Sequence, residues 1–136
     1  MKLELQGTPE EVMRAVEALE TYGEERGIPA RILFGLTLAL EECGSNIVNH
    51  ALKRDPDQTF TVAFEHTGGR ITLELRDQGV EFDPTIAPPG DGIADDDEPP
   101  GGWGIFLVRK NIDEMNYTRE NGEKVLRLIK RLEQAG

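Results

Sequence analysis

With 136 residues, the chain has the length of one ordinary domain, enough to bury a core without disulfides or metal staples. A formal charge of -11 and a pI near 4.6 exclude broad contact with a nucleic-acid backbone, which needs a footprint of lysine and arginine. Apolar residues at 38% against charged residues at 30% give the balance of a globular rather than a disordered chain, so a single domain over 1–136 is expected.

No apolar run approaches the roughly 20 residues that cross a bilayer, and Met1-Lys2-Leu3-Glu4-Leu5 lacks the charged-then-apolar layout of a signal peptide. The expected address is the cytoplasm, with no membrane partner. One cysteine, Cys43, allows no internal disulfide and reads as a small buried apolar residue.

Residues 2–6 alternate Leu3 and Leu5 with polar neighbours, as a short edge strand does. Thr8-Pro9 with Glu11 three positions after Thr8 then marks a helix start, and Val12, Val16 and Leu19 carry its apolar stripe to about residue 26. A second helix is expected from after Pro29 to about Lys53, with Leu36, Leu40, Cys43 and Ile47 as its buried stripe. From Thr59 the period changes to two: Phe60, Val62 and Phe64, a Gly68-Gly69 turn, then Ile71, Leu73 and Leu75 predict an antiparallel hairpin. Residues 83–102 are rich in proline and glycine, carry the acidic run Asp95-Asp96-Asp97-Glu98, and read as a long loop of functional character. Trp103 to about Ile112 reads as a short helix, and a last strand pair closes around Asn121-Gly122. This order predicts a two-layer α/β sandwich: a mixed, mostly antiparallel sheet with helices on one face.

Three groups of residues bear chemistry. On the second helix, Glu42 and Asn46 are four apart and stack on one shoulder, with Gly35 and Ala39 leaving space beside them. An asparagine oxygen suits a magnesium ion that keeps most of its waters, and a carboxylate one turn earlier suits a general base. Asn49 and His50, one turn on, are within reach of a phosphate. Asp77 and Gly79 stand where the third strand ends: the carboxylate can accept from an exocyclic amine, and the glycine allows a close approach to its backbone. Gly101-Gly102-Trp103-Gly104-Ile105 joins the long loop to a helix, where unpaired amides can cradle phosphate. It is no Walker loop, because no Gly-Lys-Ser or Gly-Lys-Thr follows.

In order and spacing, LALEECGSNIVNHA, ELRDQGVEFDP and GGWGIFLVRKNIDEMNY resemble the N, G1 and G2 boxes of the GHKL ATP-binding superfamily. The ending Phe82-Asp83-Pro84 and the Gly-Gly-x-Gly-Ile-x-Leu-Val run are similar to the RsbW and SpoIIAB anti-sigma serine kinases. That resemblance implies a Bergerat fold binding ATP and Mg2+, with Glu42 as catalytic base and Asn46 as magnesium ligand. It further implies Asp77 as adenine contact, Phe82 beside the nucleotide, backbone approaches at Gly79, Gly102 and Gly104, and an ATP lid over about 84–101. Family members dimerise, bind a sigma factor and phosphorylate a STAS-domain anti-sigma antagonist. A non-catalytic module that sequesters a partner, a detached histidine-kinase catalytic domain and a metabolic ATPase are the alternatives. Two features depart from the pattern. Glu81 stands where the box has its second glycine, and 77–108 holds no lysine or arginine, leaving Arg109 and Lys110 as the nearest compensating charges.

Overall fold

The computed structural model describes residues 1–79 and 108–132. Period-two alternation sets the sheet. Strand β1 (Lys2–Gln6) buries Leu5, β2 (Thr59–Thr67) buries Phe60, Val62 and Phe64, and β3 (Arg70–Asp77) buries Ile71, Leu73 and Leu75. Strands β4 (Glu114–Glu120) and β5 (Glu123–Arg131) form the closing hairpin, and the sheet order is β1-β2-β3-β5-β4. Among the described residues every pairing is antiparallel, so the expected mixed component is not found there.

The inward face of this sheet and the two helices share one hydrophobic core. Helix α1 (Pro9–Glu25) begins as its sequence predicts: Thr8 is the N-cap, with Oγ1 accepting from the Glu11 amide at 3.3 Å. Glu11 reaches back past the cap to the Gln6 amide, 3.1 Å away, and so ties the helix start to β1. Helix α2 (Ala30–Asn46) buries Leu36, Leu40 and Cys43, the stripe read from the sequence, and Ile47 follows just beyond its end.

Where the sequence reads one helix to about Lys53, the α-geometry stops at Asn46 and a π-helical turn, Ile47–Ala51, follows. The Leu52 amide donates to the Ile47 carbonyl at 2.8 Å and the Arg54 amide to the Val48 carbonyl at 2.7 Å, so the backbone widens before it leaves the helix layer. Lys53 and Arg54 then take successive positive φ values of 54° and 59°, a strained exit for residues with side chains. Apolar periodicity continues through this stretch, and therefore gives no warning of the change in hydrogen-bond step.

The opposite sheet face is polar. Glu74, Arg76, Glu120 and Arg127 form a network of ion pairs at 2.8 to 3.2 Å. Burial would raise the Glu74 carboxyl, but hydrogen bonds from Arg76 and Arg127 outweigh it and hold the group below its ordinary value. The two sheet faces thus differ in kind, and only the inward one meets the helices.

Because Leu40 is 1% exposed and packed in the middle of this core, Leu40→Ala is expected to cost about 2 to 5 kcal/mol. Urea unfolding checks this: the midpoint should fall with the slope unchanged, and a loss under about 1 kcal/mol would contradict the placement of α2.

Candidate functional site

The alternation that buries Ile71, Leu73 and Leu75 also turns Asp77 inward at the end of β3, where it is 7% exposed. Lys124 of β5 lies directly across from it in the strand register and is 3% exposed. Its Nζ stands 3.1 Å from Asp77 Oδ1, and the Gly79 amide donates to the same oxygen at 2.9 Å. Lys124 also donates to the Gly79 carbonyl. One hydrogen bond and one counter-charge therefore converge on Oδ1, which offsets the desolvation of a buried carboxylate. Among the described residues nothing donates to Oδ2.

From the helix side, Asn46 reaches this same place. Asn46 and Asp77 line one recess, walled by Leu75, Tyr117, Lys124 and Leu126. The last α-helical residue and the last residue of β3 thus meet at one cleft, although 31 positions separate them in the chain. An amide side chain, a carboxylate and apolar walls combine acceptors with apolar surface, and the space between them is about 10 Å³, room for one water, so a heteroaromatic ring carrying an exocyclic amine would have to part these walls to enter.

The other expected residues are distributed around this recess or lie elsewhere. Glu42 is one turn N-terminal to Asn46, half-buried, and does not line the recess. Asn49 and His50 are exposed on the π turn, and Asn49 Oδ1 accepts from Arg54 Nε at 2.7 Å, so neither faces the recess. A Cβ at Gly79 would fall on the Ala51 carbonyl and within 2.9 Å of Leu52 Cδ2: the π turn crowds this glycine as well as any ring would. At Gly35 the space expected beside Glu42 is taken by Asn111, whose Oδ1 would lie 2.7 Å from a Cβ there. Phe82, Gly101, Gly102, Gly104 and Ile105 are outside the described residues, as are the expected lid over 84–101 and most of the 103–112 helix, of which 108–111 is helical.

Lys124 is the residue that sequence reasoning missed. A signal existed: with Leu126 and Leu128 facing inward on β5, period two places Lys124 inward as well. A buried lysine needs a partner, and Asp77 is the nearest carboxylate in register.

Cys43, on the wall beside Asn46, is 1% exposed. Burial, with a smaller contribution from the Glu42 charge, pushes its thiol up to about 12. The folded chain keeps this proton while the unfolded chain releases it near the ordinary value of 9.0, so any stability linked to Cys43 is complete below pH 9 and lost as pH rises toward 12. At pH 8 the native protein is expected to resist a thiol reagent that consumes the urea-unfolded chain at once; native modification at the unfolded rate would show that this wall is open.

Comparison with known proteins bears on the family and the fold. The family model described as histidine kinase-like ATPase domain matches residues 5–130. The serine/threonine-protein kinase BtrW of Bordetella bronchiseptica is 32% identical over 122 residues, covering 88% of this chain and 85% of that protein. The serine-protein kinase RsbW of Listeria innocua is 26% identical over 129 residues, covering 91% and 82%. Among solved structures, the RsbU and RsbW domains of Rv1364c from Mycobacterium tuberculosis superpose with a TM-score of 0.64 at 15% identity, over 96% of this chain and 31% of that one. The histidine kinase domain of Erythrobacter litoralis EL346 gives 0.58 at 15% identity, over 91% of this chain and 60% of that one, so this chain spans under two thirds of either structure. With its family model matched almost end to end and a relative above 30% identity, the chain belongs to the histidine kinase-like ATPase domain family, the GHKL type that its three motifs resemble.

Proposed function

We propose that the recess between Asn46 and Asp77 binds Mg-ATP and that the protein is a serine/threonine protein kinase of the anti-sigma type. The observation that carries this reading is the convergence of Asn46 and Asp77 on one recess with Asp77 Oδ2 left to accept from a ligand. A carboxylate engaged on one oxygen, with nothing among the described residues donating to the other, suits a ligand that brings a hydrogen-bond donor. The relatives named as serine/threonine or serine-protein kinases support the class of reaction.

In this reading Asp77 Oδ2 accepts from the adenine amine, Leu75, Tyr117 and Leu126 supply apolar contact to the ring, and Asn46 offers its side-chain oxygen to magnesium. Bound Mg-ATP brings the transferable γ-phosphoryl group with its charge partly neutralised. Glu42, one turn from Asn46, accepts the proton of the attacking hydroxyl on an acceptor serine or threonine. The acceptor would be a STAS-domain anti-sigma antagonist, the second partner a sigma factor, and the working form a homodimer. Gly101, Gly102, Gly104 and Ile105 would cradle the phosphates at the start of their helix, and Asn49 and His50 would assist from the π turn.

A second reading has one observation in its favour. Glu42 does not line the recess, which fits a module that binds nucleotide and sequesters a partner without transferring phosphate. Two measurements separate the readings. In calorimetric titration with magnesium, wild type is expected to bind ADP and ATP, and Asp77→Ala to lose at least about tenfold in affinity. With radiolabelled ATP and a STAS-domain acceptor, Glu42→Ala should lower transfer by about 100-fold or more while leaving nucleotide affinity within a few-fold. Equal transfer rates for wild type and Glu42→Ala would sink the kinase reading and leave the binding module.

A further inference from the structure

Lys124 has no part in the reading above, yet it is the best-buried charged side chain among the described residues and it stands on the carboxylate proposed to read the base. Resting on that nucleotide reading, we propose that Lys124 is a positioning residue that sets the base preference of the site. A free carboxylate can turn about its last torsion and offer either oxygen, or both, to a ligand. Here the Gly79 amide donates to Oδ1 at 2.9 Å and the Lys124 ammonium stands 3.1 Å from the same oxygen, so the carboxylate cannot turn without losing both a hydrogen bond and its ion pair. The Gly79 carbonyl in turn accepts from Lys124, which links the ammonium, the glycine and the carboxylate to one another. Oδ2 is then a single acceptor of fixed direction.

A fixed acceptor selects by chemistry. It receives a hydrogen bond from a 6-amino group and opposes the lone pairs of a 6-oxo group, so adenine is accepted and hypoxanthine refused. The same arrangement makes a sharper prediction for an amide at this position. In Asp77→Asn, the Gly79 donor and the Lys124 ammonium both favour the amide oxygen on their side, which turns the amide nitrogen the other way. The site would then present a donor to the ligand, and its preference should pass from the 6-amino to the 6-oxo base.

The test is calorimetric titration of Mg-ADP and Mg-IDP into the full chain as wild type, Lys124→Met, Lys124→Arg and Asp77→Asn, each first checked for cooperative unfolding. Wild type should favour ADP over IDP by about tenfold or more, and Lys124→Arg, which keeps a cation opposite Asp77, should retain most of that ratio. Lys124→Met frees the carboxylate and should bring the ratio to within about threefold. Asp77→Asn, which leaves Lys124 in place and carries the test if Lys124→Met fails to fold, should favour IDP. A wild-type ratio in Lys124→Met, or an Asp77→Asn protein that still prefers ADP, overturns the positioning role while leaving nucleotide binding intact. Wild type that binds neither nucleotide overturns the nucleotide reading itself and this inference with it.

Discussion

An ammonium and a carboxylate, each more than nine-tenths buried, face one another across β5 and β3 at the end of the sheet, and the geometry of the recess follows from how that pair is held. Taking both charges from water is expensive, and their attraction offsets the expense only when the remaining hydrogen-bonding capacity is used well. Gly79 supplies both an amide for Asp77 and a carbonyl for Lys124, so the first turn after β3 is part of the ion pair. The pair is also why the recess is polar at one corner and apolar elsewhere: Leu75 and Leu126 are the next inward-facing residues on the same two strands.

The helix layer meets this corner through a change of backbone step. If α2 had continued in α-geometry beyond Asn46, the side chains that follow would have kept a spacing of 100°. The π turn instead widens the helix at Ile47–Ala51 and carries the Ala51 carbonyl to the place where a side chain on residue 79 would lie. Gly79 is thus required by the packing of the protein itself. Strain at Lys53 and Arg54 follows directly, as the chain turns sharply from the π segment towards β2. Stored strain and a π turn beside a recess recur at functional sites, and here they sit on the segment that also presents Asn49 and His50.

Much of this was legible in the amino-acid sequence because it rests on short-range periodicity. The stripe Leu36, Leu40, Cys43 and Ile47, the alternation of β2 and β3, the Thr8 cap and the Asn121-Gly122 turn each follow from spacing that a backbone must obey. The end of α2 was not legible, since apolar spacing is nearly the same for α and π steps over a single turn. Lys124 was missed for a different reason: period two on β5 turns it inward, but does not say what it meets there. Its partner is fixed by the register of β3 against β5, a pairing between strands 47 positions apart, and no local signal states that register. The three motifs named Asn46 and Asp77 as members of one site from separate segments, and the fold brings those two together. Its glycine-rich third lies at 101–105, outside the described residues.

In the proposed reading, one nucleotide occupies the corner between the end of α2 and the end of β3. Backbone amide spectra recorded during titration with Mg-ADP test it most directly, because they report where the ligand sits without any substitution. Saturable shifts are expected to concentrate on Asn46, Ile47, Asp77, Gly79, Tyr117 and Lys124, with the polar sheet face around Glu74 and Arg127 unmoved. Shifts confined to that polar face, or a spectrum unchanged at saturating nucleotide, would contradict it.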